Sequence, residues 1–348
     1  MSSKIRCLVV DESATLRSLL QRMLNSDPEI DVVATAPDPY AAREKLLEWT
    51  PDVMLLNIEM SQMDGLAFLE KVMAARPTRT LILSPQTKKE AELALRALEA
   101  GAIDVLMRPP LDAALPGMRQ EIVHRIKAVA RARFQKPREP QHEPLISTDA
   151  GFNSNRILVM AASTGGTEAL KVVLSALGPN IPGTLIVQHL PPVYTRTFAT
   201  GLNRLCPFTV KEAEDGDRVQ PGLVLIAPGD YHMEVLRRGS HLHVKMNQDA
   251  PQHSVRPAAD VLMRTVAKYV GKDAIGVVLT GMGRDGALGL LEMHRAGAYT
   301  IAQDEASSVV YGMPRAAVEA GGVDRILALS DIAPHIMQEL QKREGFAG

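Results

Sequence analysis

Short runs of consecutive apolar residues recur along the chain and alternate with stretches in which apolar positions return every three or four residues. In the first third the runs are Cys7-Leu8-Val9-Val10, Val32-Val33-Ala34, Val53-Met54-Leu55-Leu56, Leu81-Ile82-Leu83 and Val105-Leu106-Met107. A run without alternation is what a strand buried on both faces requires. Leu16, Leu19, Leu20, Met23 and Leu24 instead trace one face of a helix, as do Ile122, Ile126 and Val129. Five β units alternating with α predict a flavodoxin-like (βα)5 parallel sheet, covered on both sides, over residues 1–130. Residues 131–155 carry Pro137, Pro140 and Pro144 among mixed charges with little apolar period, and read as an extended linker.

A second set of runs follows at Ile157 to Val159, Leu185-Ile186-Val187, Leu223-Val224-Leu225-Ile226, Ile275 to Leu279 and Tyr299-Thr300-Ile301, again with helical stretches between. This predicts a doubly wound, mostly parallel α/β domain over 156–348. Tyr231 to Asn247 is set apart, because Leu242, Val244 and Met246 alternate with His241, His243 and Lys245 around Arg238-Gly239, the signature of a hairpin.

Composition narrows the class. A chain of 348 residues, 46% hydrophobic and 23% charged, has room for two cores. Lys plus Arg (39) nearly balance Asp plus Glu (40), so no long-range field recruits nucleic acid or an anionic membrane. The basic residues from Arg125 to Arg138 lack interleaved aromatics and a recognition-helix module, and read as a solvated helix end. Cys7 in a strand and Cys206 beside a proline suggest reduced thiols. The N-terminus has no signal-peptide run and no stretch reaches a membrane span, so a cytoplasmic protein without membrane insertion is expected.

The chemistry gathers where strands end, since ligands of such sheets bind beyond the carboxyl edge. Ser163-Thr164-Gly165-Gly166 joins the Ile157 strand to a helix marked by Leu170, Val173, Leu174 and Leu177. Such a turn suits a nucleophile, a phosphate or a plain connection. His189 ends the next strand and Asp285 follows the Ile275 strand. If the three strands are neighbours, a serine, an imidazole to take its proton and a carboxylate to orient the imidazole emerge at one edge. Gly281 and Gly283 around Met282 would let backbone amides point inward. The order Ser, His, Asp and the lack of a G-x-S-x-G elbow set it apart from ordinary α/β-hydrolases. His241-x-His243 is a metal pair or a solvent-facing strand, and Glu214 to Asp217 a turn or a truncated calcium loop.

Two resemblances add to this. Residues 4 to about 125, with PDVMLLNIEMSQMDG and ALEAGAIDVLMRPP, resemble the receiver domain of bacterial response regulators. The resemblance places Asp11 and Glu12 at that family's Mg²⁺ carboxylates, Asn57 at its phosphate-accepting aspartate, Ser84 at its Ser/Thr and Arg108 at its lysine. Three of the five depart from the family pattern, and a neutral Asn57 argues against both phosphate uptake and Mg²⁺ at the receiver. AASTGGTEAL, QHLPP, EAEDGDRV, IAPGDYHME, LTGMGRDGALGL and QDEASSVVYGMPRAA resemble the catalytic domain of CheB chemotaxis methylesterases.

That resemblance implies hydrolysis of glutamate γ-methyl esters, and deamidation of particular glutamines, on methyl-accepting chemoreceptor helices. It also implies a chemotaxis histidine kinase as partner. Ser163 would be nucleophile, His189 general base and acid, Asp285 its orienter, and the amides of Thr164 and Met282 oxyanion donors, with no cofactor for hydrolysis. In the family the unphosphorylated receiver covers the site. The alternative is a catalytically silent response-regulator scaffold that binds receptors.

Overall fold

A computed structural model describes residues 4–61, 64–85, 87–108, 116–133 and 156–341. The chain divides into two compact units, Met1–Phe134 and Gln135–Gly348. The expected linker lies outside the described residues beyond Arg133.

The first unit runs β1 (Ile5–Val10), α1 (Ala14–Asn25), β2 (Ile30–Ala36), α2 (Pro39–Trp49), β3 (Val53–Asn57), α3 (Gly65–Ala75), β4 (Arg79–Ser84), α4 (Lys88–Glu99), β5 (Asp104–Met107) and α5 (Pro116–Arg131). Its strands are all parallel in the order β2-β1-β3-β4-β5. The central strands are buried on both faces, which is why their sequences carry no alternation. Side chains stop the helices where they begin: Ser13, Asp38, Asp64 and Thr87 accept backbone amides at the starts of α1 to α4.

The second unit runs β6 (Ile157–Ala162), α6 (Gly166–Ala176), β7 (Gly183–Gln188), α7 (Tyr194–Leu205), β8 (Thr209–Glu212), β9 (Leu223–Ile226), β10 (His232–Arg238), β11 (His241–Asn247), α8 (Ala259–Tyr269), β12 (Ala274–Val278), α9 (Ala287–Arg295), β13 (Tyr299–Gln303), α10 (Met313–Glu319), β14 (Arg325–Leu327) and α11 (Leu329–Gln341). Seven parallel strands lie in the order β14-β13-β12-β6-β7-β9-β8, and β10 and β11 form the antiparallel hairpin apart from them. The two edge strands, β8 and β14, are not foreseen by the apolar runs. They are short, four and three residues, and no residue of β14 is buried, its Ile326 included.

Val159, Ala161, Leu185, Val187, Leu262 and Leu290 belong to a buried cluster that holds α8 and α9 to the sheet. Both cysteines are free, with Cys7 buried and Cys206 half-buried. No helix among the described residues is long and apolar enough to cross a membrane.

Candidate active site

β12, β6 and β7 lie side by side at the centre of the seven-stranded sheet. Ser163 is the first residue past β6, His189 the first past β7, and Asp285 stands in the loop leaving β12. All three are buried. The His189 amide donates to the Ala162 carbonyl at 3.2 Å and the Ser163 amide to the Thr280 carbonyl at 3.0 Å, so backbone bonds lace the strand ends together.

His189 Nε2 lies 2.8 Å from Asp285 Oδ2. The same carboxylate accepts the amides of Ala259 at 2.6 Å and Asp260 at 3.0 Å, the first two residues of α8. The residue before α8, Ala258, has no capping side chain. Asp285 therefore caps that helix from a distant part of the chain while it orients the imidazole. Burial alone would push the Asp285 carboxyl up, but the hydrogen bond and charge of His189 and the Asp260 and Ala259 amides outweigh it and hold the carboxyl below its ordinary range. Because Nε2 is turned to Asp285, Nδ1 is the ring nitrogen that remains for proton exchange.

The serine turn is clamped from two sides. The Ser163 carbonyl accepts the Gly166 amide at 2.7 Å and Gln188 Nε2 at 3.0 Å. Gly165 sits at φ 76°, in the left-handed region, and a Cβ there would lie 2.6 Å from Val309 Cβ. α6 then begins without a capping side chain; its first amide, that of Gly166, turns back to the Ser163 carbonyl instead. The Thr280 hydroxyl lies 3.0 Å from the Thr164 carbonyl and accepts the Val310 amide at 2.9 Å, while the Thr280 amide donates to Gln303 Oε1 at 2.8 Å. The Gly281 amide is engaged by the Val310 carbonyl at 3.0 Å, so it does not point inward as the flanking glycines suggest. A Cβ on Gly281 would come within 2.7 Å of Ser163 Cβ, so this close approach requires glycine.

Ser163, His189 and Asp285 are thus gathered at one edge with Thr164 and Met282 in the adjoining loops. Gln188, Thr280 and the start of α8 were missed by sequence reasoning. The first two had a signal, a polar residue closing an apolar strand. The α8 amides, being backbone, had none.

In the receiver unit, Asp11 is fully buried, with Oδ1 3.2 Å from Arg108 Nη2 and Oδ2 without a hydrogen-bond partner. Burial pushes its carboxyl above the ordinary range despite the Ser13 amide and the Arg108 charge. Asn57 closes on the chain beside it: its Nδ2 donates to the Glu59 carbonyl at 2.8 Å and its Oδ1 accepts the Glu59 amide at 3.2 Å. Glu12 accepts the Ser61 amide at 3.1 Å, and the Ser84 hydroxyl faces backbone carbonyls of Pro85 and Glu90, each at 3.4 Å.

His243 is half-buried, with Nδ1 3.0 Å from the Gly216 carbonyl, so it is not the solvent-facing residue that alternation suggested; exposed His241 meets Arg218. The acidic turn fastens the chain internally, Asp217 taking Lys211 at 2.9 Å and Asp215 the Met246 amide at 2.8 Å.

Comparison with known proteins places both units. The family model described as CheB methylesterase matches residues 158–336, and that of the response regulator receiver domain matches 7–118. A protein-glutamate methylesterase/protein-glutamine glutaminase of Bdellovibrio bacteriovorus is 53% identical over 351 residues, covering 99% of each chain. A protein of the same description from Pectobacterium atrosepticum is 47% identical, covering 97% of each. The crystal structure of the Thermotoga maritima CheB methylesterase catalytic domain, 35% identical, aligns over 53% of this chain and 98% of its own with a TM-score of 0.52.

Proposed function

The chain belongs to the CheB methylesterase family, in the form that carries a response-regulator receiver, and on that footing we propose that Ser163, His189 and Asp285 carry out its reaction. It is a protein-glutamate methylesterase and protein-glutamine glutaminase. Its substrates are methyl-accepting chemoreceptors, with a chemotaxis histidine kinase as signalling partner. The observation that carries the catalytic assignment is the buried His189 to Asp285 hydrogen bond beside the strand end that presents Ser163.

Ser163 Oγ attacks the γ-carbonyl carbon of a methylated glutamate, and its proton passes to His189 Nδ1. The carbonyl π bond opens, and the oxyanion is held by the amides of Thr164, just before α6, and Met282, in the loop leaving β12. Asp285 stabilises the imidazolium through Nε2. The intermediate collapses, the C–O bond to methoxide breaks, and His189 returns the proton so that methanol leaves. Water then attacks the acyl-serine with His189 as base, releasing the glutamate and restoring Ser163. With glutamine the first leaving group is ammonia. No step calls on a metal or an organic cofactor. A serine-directed fluorophosphonate with peptide mapping tests the nucleophile: label on Ser163 supports it, and label on another serine would refute it.

For the receiver, we propose that the pocket neither accepts phosphate at Asn57 nor holds Mg²⁺. The orphaned Asp11 oxygen would suit a cation, but the rest of the set does not fit one. The Arg108 guanidinium already supplies positive charge at Asp11, and both ends of the neutral Asn57 amide are taken by Glu59.

A further inference from the structure

Next to the proposed triad stands a second histidine–carboxylate pair that the mechanism does not use. His253 Nε2 lies 2.8 Å from Asp260 Oδ2. Asp260 is fully buried, and its other oxygen accepts the Gly289 amide of α9 at 2.6 Å. The Asp260 backbone amide is one of the two that hold Asp285. One residue therefore faces both ways: its side chain ties the start of α8 to α9 and to the loop before it, and its amide grips the carboxylate that orients His189. One ligand-type atom from each of His253, Asp260 and Asp285 lies within 4.8 Å of the others.

The loop that delivers His253 is held in conformations side chains rarely adopt, at φ 51° for His253 and φ 64° for Ser254. Such backbone persists only where its surroundings over-determine it. Here they do: Gln252 and Val255 exchange backbone hydrogen bonds, and Arg256 pairs with Asp230. Nothing in that loop touches Ser163 or His189 among the hydrogen bonds described. Its route to the site runs through Asp260.

We propose that His253 is a positioning residue for the esterase reaction: by donating to buried Asp260 it sets the angle of the α8 N-terminus, and so the placement of Asp285 against His189. Without that donor, a buried carboxylate oxygen loses its partner and the first turn of α8 re-seeks one, carrying the Ala259 and Asp260 amides with it. The effect is expected on the turnover step, because His253 acts through Asp260 and makes no described hydrogen bond to Ser163 or His189. The inference rests on the catalytic assignment proposed above.

The test uses the full chain, with His253→Ala, His253→Gln and Ser163→Ala compared by methanol release from methylated receptor. The His189 ring N–H signal is followed by NMR and Tm by calorimetry. His253→Ala is expected to lower kcat about tenfold, the size of one lost charge-assisted hydrogen bond, with KM unchanged and the His189 signal shifted. His253→Gln, whose amide restores a donor, recovers most of the rate and returns the signal. If His253→Ala leaves kcat and the signal at wild-type values, or lowers the rate only in step with the unfolded fraction, the inference is overturned. Unimpaired Ser163→Ala would instead overturn the catalytic assignment, and the NMR arm then judges the His253 coupling by itself.

Discussion

Asp285 meets His189 through Nε2 at 2.8 Å with the same oxygen that accepts the Ala259 amide, so orienting the imidazole and capping α8 are one interaction. In the proposed reaction a carboxylate so placed favours the tautomer with the proton on Nε2 and leaves Nδ1 for the serine proton.

Asp285→Asn keeps the shape but removes the charge that steadies the imidazolium. Its rate of methanol release is expected to fall by about 10³–10⁴, as for loss of the orienting aspartate in other Ser-His-Asp sites. A rate within tenfold of wild type would mean that His189 is oriented by something else.

Acid sensitivity follows from the same carboxylate. The Asp285 carboxyl lies below its ordinary range in the folded chain, so its stabilising contribution is complete above the unfolded value of about 4 and is lost as pH falls through the folded value. Urea midpoints of wild type and Asp285→Asn, taken from neutral pH downward, should keep a constant gap until about pH 4 and converge below it. A gap that widens on acidification contradicts the sign of the shift.

Gly281→Ala forces a methyl group against Ser163 Cβ and the Met313 sulfur. Overpacking of this kind costs about 1–3 kcal/mol, and here it displaces Ser163, the proposed nucleophile. Activity should fall by at least an order of magnitude while a folded, lower-melting protein remains, read by methanol release and calorimetry side by side.

The receiver carries its own test. Intact-mass measurement after incubation with a small phosphodonor and Mg²⁺ should find the full chain unmodified, and Mg²⁺ alone should leave Tm unmoved. Restoring both the acceptor and the compact cation, Asn57→Asp with Arg108→Lys, should gain both responses. A phosphorylated wild-type chain would refute the reading of Asn57 and Arg108.

Much of this was legible before the fold was known, for identifiable reasons. Buried parallel strands advertise themselves as unbroken apolar runs, so Val53 to Leu56 and Leu185 to Val187 could be placed directly. The gathering of Ser163, His189 and Asp285 needed only that β12, β6 and β7 be neighbours, and they are. The edge strands at Thr209 and Arg325 were hidden because they run only four and three residues and lack an unbroken buried apolar run. The grip of α8 on Asp285 is made by backbone amides, which any residue but proline would supply there. His253 gave no signal, since its partner stands across a loop whose backbone no periodicity describes.

The central claim is that Ser163 is the nucleophile. Methanol release from methylated chemoreceptor by wild type and Ser163→Ala, with the fold of each checked by calorimetry, tests it most directly. The account predicts release by wild type and none above background by a normally melting Ser163→Ala protein. Release by the mutant at a rate near wild type would contradict it.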